Sequence, residues 1–182
     1  NSGIIAQKVN AFTSSGNNLF AGSEDAGVFR STNEGASWSQ VISGIQNITV
    51  KQMASTSSAI FAAGYGIYRS TNSGTNWVEV SNIYVQSYGM ITTPGDKIFT
   101  IRSFSPACLV STNNGDNWTT VSVANPEPSG YITIFSSGSN IYLSGEKFFS
   151  STDNGVTWTG YATPDSFSVS KGAASGSNIV AV

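Results

Sequence analysis

The chain has 182 residues, of which 39% are hydrophobic and only 10% are charged, and its formal net charge is −2. This composition suits one packed domain rather than a disordered chain. Eight basic residues form no positive stripe, so nucleic acid is not an expected partner, and no apolar run reaches the roughly 18 residues of a membrane-spanning helix. The chain has no histidine and one cysteine, Cys108, which excludes an internal disulfide and His-dependent triads and argues against zinc; no metal or cofactor is expected.

The predicted strands recur in the same order along the chain. Each unit has a strand a, a Ser/Gly/Pro turn, an alternating apolar strand b, a short strand c, an eight-residue motif and a strand d. In chain order, strands a and b are predicted at 9–13 and 18–22, 50–54 and 60–63, 88–92 and 97–101, and 131–135 and 140–144, and strand c at 28–30, 67–69, 109–110 and 148–150. No segment shows a 3.6-residue apolar period with helix caps.

The eight-residue motif is the strongest signal in the sequence. Octet 1 is STNEGASW (Ser31–Trp38), octet 2 is STNSGTNW (Ser70–Trp77), octet 3 is STNNGDNW (Ser111–Trp118) and octet 4 is STDNGVTW (Ser151–Trp158). Successive octets lie about 40 residues apart, a period typical of repeats that each form one supersecondary unit. Four-stranded units with this period predict an all-β fold, a β-propeller of antiparallel blades.

Four positions of the octet have a predicted structural role. The third residue, Asn or Asp, is expected to accept hydrogen bonds from backbone amides and close the c–d turn. The glycine tolerates positive φ, and the tryptophan is expected to open strand d and pack beside a neighbouring strand or blade. These residues are Ser31, Asn33, Gly35 and Trp38; Ser70, Asn72, Gly74 and Trp77; Ser111, Asn113, Gly115 and Trp118; and Ser151, Asp153, Gly155 and Trp158.

The octets resemble the Asp-box, or BNR, repeat, Ser-x-Asp-x-Gly-x-x-Trp. That repeat occurs in sialidases, xyloglucanase-type glycoside hydrolases, sortilin-type receptor domains and photosystem II assembly factors. Three octets carry Asn in place of the family's Asp, and only Asp153 keeps the acid. In those families the box is a structural hairpin on the face opposite the functional one. The resemblance therefore implies a fold and no particular activity.

The units predict a single domain, 1–182, with full blades at 9–42, 50–81, 88–122 and 131–161 and a half blade at 169–182. Four blades and a half make a partial or open propeller, whose unpaired strand edge invites pairing with another chain. Three arrangements stay open: a piece of a longer or engineered propeller, a chain that completes a ring with copies of itself, and a closed five-bladed ring with one stunted blade.

Candidate ligand-binding residues come from the loops between strands b and c and between strands d and a. In propellers these loops share one face around the axis, where ligands usually bind. Aromatic and hydroxyl groups there can stack against a sugar or a peptide, although these positions also fit ordinary loops. The predicted ligand residues are Tyr65, Tyr84, Arg102, Phe104, Glu146 and Tyr161.

Two kinds of enzyme can be weighed against the sequence. A sialidase needs three arginines that converge on a carboxylate, but Arg30 and Arg69 occupy equivalent positions just before octets 1 and 2 and are expected to be structural, bonding a neighbouring blade or their own turn. A glycosidase needs two carboxyl groups some 5 to 10 Å apart, and the candidate acids lie on different loops. No catalytic residue is therefore assigned.

The leading hypothesis is a non-enzymatic binding or scaffold propeller, secreted or periplasmic, with a carbohydrate or protein ligand. One alternative is a fragment of a xyloglucanase-like or sialidase-like glycoside hydrolase. Another is an engineered or excised repeat protein that self-assembles through its open blade edge.

Overall fold

A computed structural model describes residues 3–6, 8–46, 49–85, 89–102, 107–123, 131–145, 147–161, 172–175 and 178–181. Their regular structure is all β, as predicted, and they include no helix that is long and apolar enough to cross a membrane. The strands are β1 (Val9–Ser15), β2 (Asn18–Ser23), β3 (Val28–Ser31), β4 (Ser39–Gln40), β5 (Val50–Ser55), β6 (Ile60–Ser70), β7 (Val78–Tyr84), β8 (Met90–Thr93), β9 (Lys97–Arg102), β10 (Ala107–Ser111), β11 (Thr119–Thr120), β12 (Tyr131–Ser137), β13 (Asn140–Gly145), β14 (Phe148–Ser151), β15 (Thr159–Tyr161), β16 (Gly172–Ser175) and β17 (Asn178–Ala181).

The strands form antiparallel sheets in which chain neighbours are also hydrogen-bonded neighbours. Sheet 1 (β1–β4), sheet 3 (β8–β11) and sheet 4 (β12–β15) each have four strands, sheet 2 (β5–β7) has three, and sheet 5 (β16–β17) has two. This up-and-down order is the one that the repeat predicts for propeller blades.

Sheet 2 has three strands because β6 contains both segments predicted as separate strands b and c. The first half of β6 pairs with β5, from Ile60 opposite Ser55 to Gly64 opposite Val50. Its second half pairs with β7, from Tyr65 opposite Tyr84 to Arg69 opposite Val78, with irregular register around Ile67. The predicted loop at 64–66 therefore lies inside a strand.

Strand b differs from its predicted alternating pattern. In β9, four consecutive residues from Ile98 to Ile101 are buried, and in β6 all five residues from Ile60 to Gly64 are buried. Consecutive burial means that both faces of the strand are covered, which is the environment of a middle strand in a sheet packed on both sides. The apolar run, rather than the alternation, is the correct signal here.

The sequence predicts that each tryptophan opens strand d, but each one lies one residue before that strand. Strands β4, β7, β11 and β15 begin directly after Trp38, Trp77, Trp118 and Trp158. The backbone N–H of Trp77 donates instead to the carbonyl of Ser43, 2.8 Å away, in the segment between sheets 1 and 2. This bond takes the tryptophan amide out of its own sheet.

Backbone contacts group the chain into two compact units, each with its own core. Unit 1 is Asn1–Ser87 with Asn114–Asp116, and unit 2 is Tyr88–Asn113 with Asn117–Val182. The core of unit 1 includes Phe20, Val28, Ile60, Tyr68 and Trp77. The core of unit 2 includes Phe99, Ile101, Cys108, Ile134, Ile141, Leu143 and Phe149. The predicted single-domain boundaries stay a prediction.

Candidate functional site

Each octet forms a turn that is closed by its own side chains. In octet 1, the backbone N–H of Gly35 donates to Ser31 Oγ (2.9 Å), and the N–H of Ser37 donates to Asn33 Oδ1 (2.9 Å). The Ser31 hydroxyl donates to the same Asn33 oxygen at 3.0 Å. The bond from the first residue to the third recurs in the other octets, as Ser70 to Asn72, Ser111 to Asn113 and Ser151 to Asp153. The hydrogen bonds that close the turn are thus made within the octet itself.

The residue before the octet glycine also has a left-handed backbone, which the sequence reasoning missed. Glu34, Ser73, Asn114 and Asn154 have φ values of 58°, 55°, 58° and 59°. Asparagine tolerates this region best among non-glycine residues, so the two asparagines were an available signal, but Glu34 and Ser73 hid it. In octets 2, 3 and 4 the carbonyl of this residue accepts a hydrogen bond from a basic side chain.

Basic side chains of one sheet bond to these carbonyls in the octet turn that follows. Arg30 Nη1 donates to the carbonyl of Ser73 at 2.8 Å, and Arg69 Nη1 donates to that of Asn114 at 2.6 Å. Sheet 3 has Val110 before its octet, and Lys97 Nζ instead donates to the carbonyl of Asn154 at 3.1 Å. Arg30 and Arg69 are therefore engaged in structure, and Lys97 has a role that the sequence reasoning missed.

The octet glycines also lie against an aromatic ring. A Cβ atom added at Gly74 would lie 3.0 Å from Phe20, and one added at Gly115 or Gly155 would lie 2.9 Å from Phe61 or 2.5 Å from Phe99. At Gly35 the nearest atoms belong to the octet's own Trp38, at 3.7 Å, and to Leu19, at 3.9 Å. At three of the octets, glycine is required both for its positive φ and because a side chain would collide with the aromatic ring. At Gly35, only the positive φ requires glycine.

Tyr65 and Tyr84 are the predicted ligand residues that the structure brings together. They are directly opposite each other on β6 and β7, and the register is irregular between Tyr65 and Ile67. The Tyr65 side chain is 55% exposed. Such irregularities are common beside functional sites because they redirect a side chain. Both residues lie within strands rather than in the predicted loops.

The other predicted ligand residues occupy strand ends or fall outside the described residues. Arg102 is the half-buried last residue of β9, and Tyr161 is the last residue of β15. Tyr161 is 48% exposed, and its hydroxyl lies 3.1 Å from Ser150 Oγ. Phe104 and Glu146 lie outside the described residues.

Two carboxyl groups have shifted pKa values, both downward. Hydrogen bonds from Lys51 and Lys8, with their positive charges, lower the pKa of Glu24; the ion-pair distances are 2.8 Å to Lys51 and 3.1 Å to Lys8. In octet 4, hydrogen bonds from the Thr157 hydroxyl and backbone N–H lower the pKa of Asp153 to about 2. A general acid needs a shift in the opposite direction, so neither group suits that role. Within the described residues, no three His, Cys, Asp or Glu side chains come together as a metal site would require.

Several solved structures resemble this chain. An ancestral GH74 enzyme matches with a TM-score of 0.70 and 23% identity, over 88% of this chain and 25% of its own. YCF48 from Cyanidioschyzon merolae matches with 0.67 and 16%, over 91% and 58%, and a nidogen/laminin complex with 0.72 and 11%, over 95% and 71%.

The fold is a β-propeller. The sheets described above are its blades, although the chain spans only about a quarter of the GH74 structures that it matches. Comparison with protein-family models and with curated protein sequences gave no match. Since the structural identities are below 25%, the likeness extends to the fold alone.

Proposed function

We propose that the chain is a non-enzymatic binding β-propeller, that its octets are Asp-box turns with a structural role, and that it holds its ligand at the end of sheet 2 where Tyr65 and Tyr84 pair. The observation that carries the proposal is the exposed Tyr65 ring, set across from a second tyrosine beside an irregular stretch of the β6–β7 ladder. A tyrosine ring offers a flat apolar surface with a hydroxyl group at its edge.

The ligand class that fits this surface is a carbohydrate or a protein segment. Both present flat or apolar faces that stack on tyrosine and polar groups that bond to its hydroxyl. The neighbours in fold include a GH74 enzyme and a nidogen/laminin complex, so propellers of this kind occur in both settings. Arg102, Phe104, Glu146 and Tyr161 stay predicted ligand residues.

Catalysis is less well supported than binding. The lowered pKa values of Glu24 and Asp153 keep those carboxyl groups ionised at neutral pH, and Glu24 is already paired with two lysines. Arg30 and Arg69, two of the three arginines that a sialidase site would have needed, donate to turn carbonyls. A glycoside hydrolase fragment is therefore the alternative that the experiment below must exclude.

Two further predictions accompany this function. A secreted or periplasmic location is proposed from the low charge and the Ser, Thr, Asn and Gly surface, which are common in extracellular all-β proteins. Self-association through an open blade edge is proposed because sheet 5 has two strands among the described residues, and a sheet edge without a partner offers unpaired backbone groups to a second chain.

The test is a screen of glycan and peptide arrays, followed by calorimetry of the best hit with the wild type and the Tyr65→Ala and Tyr84→Ala variants. We expect binding without turnover, weakened at least about tenfold by either substitution because the stacking surface is lost. Val156→Ala is the matched control, because Val156 is 72% exposed on the turn of octet 4. A ligand that all variants bind equally well would contradict the site, and hydrolysis of xyloglucan or an aryl glycoside would replace binding with the hydrolase alternative.

A further inference from the structure

Two of the octets contain an asparagine directly before their glycine. These pairs are Asn114–Gly115 in octet 3 and Asn154–Gly155 in octet 4, and no other Asn–Gly pair occurs in the chain. Asparagine suits the left-handed backbone of this position, where the φ values are 58° and 59°. The pairing also has a chemical consequence, because a glycine presents its backbone nitrogen to the preceding side chain with no Cβ atom in the way.

The reaction at such a pair is deamidation. The backbone nitrogen of the glycine loses its proton and attacks Cγ of the asparagine; the Cγ–Nδ2 bond breaks, and Nδ2 takes up a proton and leaves as ammonia. Water then opens the resulting cyclic imide at one of its two carbonyl carbons. The products are aspartate or isoaspartate, in which the main chain runs through Cβ and Cγ. The net change is the loss of ammonia and the gain of water.

The turn of octet 4 opposes this reaction, but it holds the asparagine side chain at one end only. The N–H of Gly155 donates to Ser151 Oγ at 2.8 Å, and Asn154 Nδ2 donates to the carbonyl of Pro94 at 2.8 Å. Asn154 Oδ1 is buried, and within the described residues it has no hydrogen-bond donor. A buried acceptor without a partner raises the free energy of the closed turn, so the side chain loses little when it leaves this position.

The side chain of Asn114 in octet 3 is held at both ends. Its Oδ1 accepts a hydrogen bond from Thr56 Oγ1 at 3.0 Å, and its Nδ2 donates to Ser58 Oγ at 3.2 Å. Asn114 and Asn154 are both half-buried, so exposure does not separate them. Octet 3 must break one more side-chain hydrogen bond than octet 4 before Cγ can reach the glycine nitrogen. One net hydrogen bond changes a rate by roughly two- to tenfold.

We infer that Asn154 is a site of spontaneous deamidation, and that it reacts faster than Asn114 because the fold holds its amide group at one end only. This modification goes beyond the proposed function and is independent of ligand binding at Tyr65. Isoaspartate lengthens the main chain of octet 4 beside Gly155, which lies against Phe99 of the unit 2 core. The modified chain is therefore expected to melt at a lower temperature than the unmodified one.

The test follows deamidation at each asparagine by peptide mass spectrometry while the folded 182-residue chain is incubated in a mildly alkaline buffer. We expect Asn154 to react roughly two- to tenfold faster than Asn114 in the folded chain, and at a similar rate in urea, where only the local sequence acts. Ser58→Ala should raise the rate at Asn114 towards that at Asn154, because Nδ2 of Asn114 loses its partner. Ser39→Ala, at an exposed serine of β4, is the matched control and should change neither rate.

A second variant, Asn154→Ser, removes the reaction and keeps the turn. It gives octet 4 the residue that octet 2 has at its left-handed position, Ser73. After incubation this variant should keep its melting temperature, whereas that of the wild type should fall as modified Asn154 accumulates. Equal rates at the two asparagines of the folded chain, a faster reaction at Asn114, or the same preference in urea would overturn the inference. So would a reaction at Asn154 no faster than at Asn113, which precedes asparagine rather than glycine.

Discussion

Octets 1 and 2 have the same residue at five of eight positions and share the serine and asparagine hydrogen bonds that close the turn, but they differ in what covers them. Trp77 is 3% exposed and belongs to the core of unit 1, and its indole N–H donates to the carbonyl of Val41 at 2.9 Å. Trp38 is half-buried, and its indole N–H donates back to Gly35 of its own turn, 3.1 Å away. The octet therefore specifies its turn by itself, whereas the burial of Trp77 depends on contacts outside the octet; Trp118 and Trp158 are half-buried, like Trp38.

The largest expected effect comes from truncating the two tryptophans. Trp77→Ala should lower the free energy of unfolding by about 3–5 kcal/mol, as for other buried aromatic residues, because the core of unit 1 loses a packed ring. Trp38→Ala should cost roughly 1–2 kcal/mol, since much of its ring already contacts water. Urea denaturation of both variants measures the difference. Equal losses would mean that the neighbouring sheet contributes nothing to the burial of Trp77.

The octet glycines should also differ in how much stability their substitution costs, because different atoms lie beside them. Gly155→Ala brings a Cβ atom within 2.5 Å of Phe99 Cζ, so overpacking adds roughly 1–3 kcal/mol to the cost of about 1 kcal/mol for a left-handed alanine. Gly35→Ala meets no atom closer than 3.7 Å and should show the backbone cost alone. Thermal melting of the two variants compares them. A Gly35 variant as unstable as the Gly155 variant would show that backbone strain, rather than the phenylalanine, determines the penalty.

The arginine contacts should have a smaller effect. Arg69 donates to the carbonyl of Asn114 and to the carboxylate of Asp116, both at 2.6 Å, whereas Arg30 donates to the carbonyl of Ser73 alone. Arg69→Met should destabilise the chain by about 1–2 kcal/mol and Arg30→Met by about 1 kcal/mol. Chemical denaturation at low and high salt separates the ion pair, which salt weakens, from the bond to the carbonyl. A smaller loss of stability in Arg69→Met than in Arg30→Met would contradict this assignment.

The smallest effect is a dependence of stability on pH that comes from Asp153 of octet 4. The pKa of Asp153 is lowered from 3.8 to about 2, so its contribution is present above pH 3.8 and is lost as the pH falls through 2. Asp153→Asn gives octet 4 the asparagine of the other octets. This variant should lose less stability than the wild type as the pH falls from 3.8 to 2. Melting curves of the wild type and the variant across this range measure it, with Asn33→Asp as the converse control. Parallel pH profiles for the wild type and Asp153→Asn would mean that the carboxylate is not held by the turn.

The local parts of the fold could be predicted from the sequence because they depend on neighbouring residues. The strands, the repeat and the all-β class follow from short patterns of apolar residues and turns. The hydrogen bonds of Ser31 and Asn33 span four residues, and a motif of that length is visible in the sequence.

Contacts between segments far apart in the chain could not be predicted in this way. Lys97 reaches Asn154 across 57 positions, and Arg30 reaches Ser73 across 43, so no local pattern reveals them. The merging of strands b and c in β6 places Tyr65 opposite Tyr84, and this pairing depends on the register of β7. The shared signature of the octets also concealed the difference between Trp38 and Trp77, because the burial of Trp77 depends on residues outside its octet, such as Val41.

The most direct test of this account is the solvent exposure of the four indoles, measured by ¹⁹F NMR of the 5-fluorotryptophan-labelled chain at low concentration. Single Trp→Phe variants assign the resonances, and the shift between H₂O and D₂O reports contact with water. We expect a negligible isotope shift for Trp77 and a clear one for Trp38. Equal shifts for the two residues, or a larger one for Trp77, would contradict the claim that contacts outside its octet bury Trp77.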